Sequence, residues 1–252
     1  MSIMRSTETA GGVSVSDLSF DGGRPTDAYL VAPANAPAHS ARGILWFHWL
    51  ETGAPNSNRT EFLEEAKVLA ASDAVVSLLV DGTFPWHEDP EGIEHDRIAI
   101  EAEVAMLAAA YNLLLAQPGV DPTRTALVGH DFGAMYSSIL FSRDPKPHTL
   151  VMMAPTARWA DWYLRYWRIT DDADSYRATM GPLDPVSTLA VRGGRPVLLQ
   201  FASLDQFVPA DVADEISAAA GPGAERHDYE TGHELHDAAA LSDRDSWLLA
   251  NL

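Results

Sequence analysis

Ala126-Leu127-Val128-Gly129-His130-Asp131-Phe132-Gly133-Ala134-Met135 is the stretch on which the fold turns. An apolar run of strand character enters Gly-x-Asp-x-Gly, and helix-forming residues follow at once. Two glycines flank the central residue because so tight a strand-to-helix turn leaves no room for neighbouring side chains. Such a turn holds the central side chain at the head of a helix in strained backbone. A bare helix N-cap would account for Asp131 by itself. It would not account for the paired glycines or for the buried strand before them.

Working outward, strand and helix alternate. Val13 to Phe20 and Thr26 to Val31 read as two opening strands around Asp21-Gly22-Gly23. Gly43 to His48, Ala74 to Val80, Thr125 to Gly129, Thr149 to Met153, Pro196 to Ala202 and Ala224 to Tyr229 read as further strands, several of them continuously apolar. Helical spacing is predicted for Glu61 to Ala71, Ile93 to Ala116, Phe132 to Ser142, Pro209 to Ala220 and His236 to Ala250. This alternation predicts an α/β fold of one domain, residues 1–252: a mainly parallel sheet covered by helices on both faces. Residues 154–190 exceed what a crossover needs and carry Trp159, Trp162, Tyr163, Tyr166, Trp167 and Tyr176. They predict a short lid, or helices whose aromatic face packs on the core.

Composition narrows the function. Lys plus Arg is 17 against 36 Asp plus Glu, a formal net charge of −19, which disfavours nucleic acid and anionic membranes as partners. Cysteine is absent, so thiolate chemistry and disulfides are excluded. No continuous apolar run approaches about 18 residues and the N-terminus lacks a signal-peptide pattern, so a cytoplasmic protein is expected.

Two further residues stand in order behind Asp131. Asp205 follows the strand Leu199 to Ala202, and His233 follows Tyr229-Glu230-Thr231-Gly232. Nucleophile, acid, histidine is the chain order of one fold in particular. His236 is a rival to His233, but it lacks the preceding Gly at a strand end. His130 is expected to pack beneath the turn, and His48 to shape a neighbouring loop. His87-Glu88-Asp89 and Glu94-His95-Asp96 have the composition of metal ligands but no standard ligand spacing, so no metal is expected.

The chain resembles α/β-hydrolases of the dienelactone-hydrolase-like group over nearly its whole length. The likeness rests on Trp46-Phe47-His48-Trp49, Ser77-Leu78-Leu79-Val80-Asp81-Gly82, Gly129 to Gly133, the Asp205 loop and Gly232-His233. That group carries Cys or Ser at the elbow. Asp131 makes this elbow similar instead to those of epoxide hydrolases and haloalkane dehalogenases. The chain departs from the latter enzymes at His48-Trp49-Leu50-Glu51, where they show His-Gly-x-Pro, and at Phe132, where they often have Trp. The resemblance implies a hydrolase without a cofactor, acting on a small molecule that the lid aromatics suggest is apolar or aromatic. It implies Asp131 as nucleophile, His233 as base and Asp205 as its orienting acid. Backbone N–H groups of Phe132 and of Trp49 or Leu50 would hold the oxyanion, and Trp159, Trp162, Tyr163 and Tyr166 would face the substrate.

A carboxylate nucleophile favours an sp³ carbon, because attack on a carbonyl would give an anhydride. Epoxide opening is preferred and dehalogenation is possible. The alternatives are an ester or lactone hydrolase in which Asp131 serves as base, and a binder or cyclase-like enzyme that does not hydrolyse.

Overall fold

The computed structural model describes residues 2–49, 58–83, 93–166 and 171–252. Nine strands form a single sheet: β1 (Ser2–Ala10), β2 (Val13–Asp21), β3 (Pro25–Pro33), β4 (Ala41–Phe47), β5 (Val75–Val80), β6 (Val120–His130), β7 (Thr149–Met153), β8 (Val197–Ala202) and β9 (Ala224–Tyr229). Their order across the sheet is β1-β2-β3-β5-β4-β6-β7-β8-β9. The first three strands are antiparallel and β3 meets β5 antiparallel; every pair from β5 to β9 is parallel. β5, β7 and β8 are buried at every position. This is why they read as nearly continuous apolar runs, interrupted by Ser77, Thr149 and Gln200, and not as alternating ones.

Helices cover both faces. On one, α1 (Leu63–Asp73) and α8 (Ala238–Asn251) pack Ala66, Leu69, Trp247 and Leu248 over Ile44, Val128 and Leu198. On the other, α2 (Ile93–Leu115), α3 (Phe132–Arg143) and α7 (Ala210–Ala220) pack Leu107, Tyr111, Ile139 and Ile216 over Leu45, Leu127 and Leu199. α2 is long and apolar enough by composition to cross a membrane, but here Ile100, Leu107, Tyr111 and Leu114 are buried in the core.

The opening of the chain differs from expectation. β1 precedes the two predicted strands, paired with β2 from Ser2↔Phe20 to Ala10↔Val13 around Gly11-Gly12, both at positive φ. All nine of its residues are exposed, so it has no buried face to leave a hydrophobic period in the sequence. β6 also starts earlier than predicted, reaching back through Pro122 past a register shift opposite Ala41 and Gly43.

Residues 154–190 hold three short helices: α4 (Trp159–Tyr166), α5 (Ala173–Met180) and α6 (Pro185–Ala190). Trp159, Tyr163, Tyr176, Met180 and Leu183 join the same core as α2 and α3. The described part of the segment is thus anchored in the main core, as the packing alternative predicts.

Parallel register aligns the C-terminal ends of the central strands. Phe47 lies opposite Gly129, His130 opposite Met153, Met153 opposite Gln200 and Ala202 opposite Tyr229. The residues that follow β4, β6, β8 and β9 therefore emerge together at one end of the sheet.

Candidate active site

Asp131 stands between β6 and α3 with φ 51° and ψ −118°, a positive φ far from the left-handed helical well. The flanking glycines are steric necessities. A Cβ on Gly129 would lie 2.4 Å from the Gly133 carbonyl oxygen, and one on Gly133 would lie 2.2 Å from the Phe47 carbonyl oxygen. The first turn of α3 can approach the end of β4 so closely only without side chains there. G133A is accordingly expected to destabilise the fold by more than about 3 kcal/mol, or to prevent folding, as read by denaturant titration. Wild-type stability in that variant would contradict this close approach.

Asp131 sits at the N-cap position of α3, yet its side chain makes no capping bond. Oδ1 is buried and has no hydrogen-bond partner among the described residues. A carboxylate oxygen left so costs several kcal/mol and needs a reason. What it faces is His233, whose Nε2 lies 3.9 Å from Oδ1. The Nδ1–H of His233 donates to Asp205 Oδ2 at 2.8 Å. The other oxygen of Asp205 is held by the backbone N–H groups of Phe207 and Val208 at 2.7 and 3.1 Å. The three residues picked out from the sequence therefore converge. His236 is exposed and lies apart, lining a separate cavity with Glu64, Asp237 and Leu241.

Charge sets the state of the imidazole. Burial by itself would lower the His233 pKa, but the carboxylates of Asp131 and Asp205 overcome it and raise the value from 6.5 to about 10. Burial would raise Asp205, but the bond and charge of His233, with the Phe207 and Val208 N–H groups, hold it below the usual carboxylate range. His233 is thus an imidazolium at neutral pH, clamped between two anions. Its folded pKa is raised, so its contribution to stability is complete below pH 6.5 and is lost as pH rises through about 10. Asp205 works in the opposite sense, its contribution being lost as pH falls through its depressed folded value. The Cε1 proton of His233 is expected to titrate in NMR with a midpoint near 10. A midpoint near the ordinary 6.5 would show that the carboxylates do not clamp the ring.

Aromatic rings wall the site. Phe207 meets the His233 ring edge-on at 5.1 Å and Trp162 at 5.8 Å. Phe132 meets Trp162 at 5.5 Å, and Trp49 lies 5.7 Å from His233. Phe207 is 41% exposed and so available to a ligand. The sequence reading passed over it; its position two residues after Asp205 was the available signal.

Several expected roles need correction. Trp49 N–H donates to Glu61 Oε2 at 2.8 Å, so this N–H is committed and does not serve an oxyanion. Leu50, the other residue expected there, lies outside the described residues, as do His87-Glu88-Asp89 and Trp167. Phe132 N–H belongs to the first residue of α3, next to Asp131. Trp159 is fully buried and its indole N–H donates to the Leu183 carbonyl at 2.9 Å, so it is a core residue and not a substrate contact. Tyr163 is buried against Trp159 and Tyr176. Tyr166 is 39% exposed, its ring 4.8 Å from that of Trp162. Trp162 meets both Phe132 and Phe207, and Trp159 backs Phe132 from the core at 5.6 Å.

The other histidines are structural in their bonding. His48 donates Nδ1–H to the Trp49 carbonyl at 2.7 Å and accepts Gly82 N–H on Nε2 at 2.8 Å. That fixes it as a neutral tautomer, and burial lowers its pKa in agreement. Asp96 is buried under α5, accepting from the Tyr176 hydroxyl at 2.6 Å, and points away from His95, which is exposed. Among the described residues no three His, Cys, Asp or Glu side chains gather as a metal site.

No protein-family profile and no curated protein matches the chain. Solved structures do. The chain is similar to an acetyl xylan esterase from Paenibacillus sp. R4, with TM-score 0.76 at 15% identity, covering 100% of this chain and 88% of that one. It is similar to a cold-adapted esterase from an Arctic intertidal metagenomic library, with TM-score 0.71 at 17% identity over 99% of both chains. A candidate dienelactone hydrolase from Klebsiella pneumoniae subsp. pneumoniae MGH 78578 superposes with TM-score 0.67 at 16% identity, over 95% of this chain and 98% of that one. Strand order, the strained elbow and these likenesses lead to one conclusion: the chain has the α/β-hydrolase fold.

Proposed function

We propose that this protein is a cofactor-independent hydrolase of small apolar or aromatic molecules, with Asp131 as nucleophile, His233 as acid and base, and Asp205 orienting His233. The observation that carries this reading is the buried, unbonded Asp131 Oδ1 facing an imidazolium at 3.9 Å.

A carboxylate attacks an sp³ carbon readily and a carbonyl poorly, so we place the first step at an epoxide carbon. Asp131 oxygen forms a C–O bond, the ring C–O bond breaks, and the resulting alkoxide takes the proton held by His233. Two things then become true together. Asp131 is a neutral ester, and His233 has lost both its proton and one of the anions that raised its pKa. It is now a base. Water gives it a proton while the oxygen adds to the acyl carbon of Asp131. Collapse expels the alkoxide, which takes that proton, and the carboxylic acid left at Asp131 gives the second proton of the water to His233, so the pair returns to carboxylate and imidazolium. Displacement of a halide makes no alkoxide to discharge the imidazolium, and Trp159 N–H, which could otherwise hold a halide, is spent on Leu183. Both points favour the epoxide.

The second reading is an ester or lactone hydrolase in which Asp131 activates water. What favours it is that solved structures of similar shape include esterases. Trp49 N–H, bonded to Glu61, is withdrawn from the oxyanion of either route and does not separate them. Single turnover of styrene oxide and of p-nitrophenyl acetate in ¹⁸O-water separates the two. The alkyl-enzyme route puts label into the Asp131 carboxylate, read by peptide mass. Turnover with no label there would exclude it.

Phe207 and Trp162 form the aromatic wall, so F207A is expected to raise KM for aryl substrates about 3- to 10-fold while changing kcat little. Equal loss for aryl and methyl substrates would contradict a substrate-facing Phe207.

A further inference from the structure

The residue before the nucleophile is itself a buried histidine with a carboxylate partner. His130 ends β6 on the same sheet face as Ala126 and Val128, towards α1, and is fully buried. Its Nε2–H donates to the His233 carbonyl at 2.9 Å, and its Nδ1 meets Glu61 Oε1 at 2.6 Å. Glu61 stands just ahead of α1 with its side chain 5% exposed, and its second oxygen accepts the Trp49 N–H at 2.8 Å. The Trp49 ring stacks on His130 at 5.4 Å and 16°. A carbonyl only accepts, so Nε2 always carries its proton; the second proton lies between Nδ1 and Glu61. Two buried side chains thus tie three otherwise separate pieces: Trp49 after β4, the end of β6 and the loop that carries His233.

We propose that Glu61 and His130 are a positioning pair, which holds the His233 backbone and Trp49 in register with Asp131. The proposal rests on the hydrolase reading above for its kinetic consequence, but not for its geometry. Neither residue touches the reacting atoms. Their effect is on placement, and a displacement of about 1 Å in a catalytic group can cost about 100-fold.

The test uses E61A and E61Q in the full chain. Glutamine can keep every bond: its amide oxygen accepts Trp49 N–H, and its NH₂ donates to Nδ1 of a neutral His130. Alanine keeps none. E61A is expected to lower kcat for styrene oxide or p-nitrophenyl acetate about 30- to 100-fold, with KM within about threefold. E61Q is expected to rescue kcat to within about fivefold. The His233 Cε1 proton should shift or broaden in E61A and return to the wild-type resonance in E61Q. Folded E61A with wild-type kcat overturns the proposal. So does E61Q as impaired as E61A, since charge and not placement would then be operating. Should E61A fail to fold, H130F keeps a ring beneath Trp49 and loses both bonds. It is expected to show the same fall in kcat, and wild-type turnover in it overturns the pair. If the wild-type enzyme turns over neither probe, the hydrolase reading fails and the NMR comparison alone decides this one.

Discussion

Replacing Asp131 with asparagine is expected to lower kcat by at least about 10³-fold without unfolding the protein. Asn is the substitution of choice because it keeps the shape of the side chain, and it tolerates positive φ better than most residues. The elbow backbone at φ 51° therefore survives in the variant. What disappears is a nucleophilic oxygen and one of the two anions that clamp His233. The second loss can be measured without any substrate. The His233 midpoint, about 10 in the wild type, should fall towards its ordinary value once Asp205 is the only carboxylate left. Turnover that persists in D131N would remove Asp131 from the mechanism. A His233 midpoint that stays near 10 would show that Asp205 alone holds the proton.

Replacing His233 with glutamine is expected to stop the reaction half-way. Asp131 keeps its nucleophilic oxygens, and the alkoxide can take its proton from water instead of His233, while the base that hydrolyses the ester is gone. Steady-state turnover should fall by at least about 10³-fold, and an epoxide should leave one equivalent of adduct on the peptide carrying Asp131. Accumulation of that adduct would be direct support for the alkyl-enzyme. Dead enzyme with unmodified Asp131 would favour the ester reading, in which no covalent stage exists. The two variants are complementary. D131N should bind no substrate covalently, and H233Q should do nothing else.

The pairing of these outcomes follows from a single electrostatic arrangement. In the resting protein His233 is acidic in its bonding and basic only in prospect. Its conversion needs Asp131 to lose its charge, which alkylation does and water activation by Asp131 does not. A hydrolase built this way performs the second step only after the first, because the first creates the base.

Much of this was written in the chain. The order Asp131, Asp205, His233 and the alternation of apolar strands with helices are local patterns, and local patterns survive without coordinates. Gly129 and Gly133 were legible as a tight turn because glycine is required by sterics within a few residues. The absence of cysteine excluded thiolate chemistry from composition alone. The failures share a different physical character. β1 left no hydrophobic period because none of it is buried. The lid aromatics looked alike in sequence, yet Trp159 and Tyr163 pack inward while Trp162 reaches Phe207, a difference decided by how α4 docks. Trp49 seemed available to an oxyanion until Glu61, distant along the chain, took its N–H. Hydrogen-bond partners far apart in sequence, and the charge state they impose on a buried imidazole, exist only once the sheet has brought strand ends together. The sequence by itself determined the fold and the identity of the three residues. Tertiary structure decided which protons they hold and which neighbours keep them in place, because both depend on distances that no local pattern encodes.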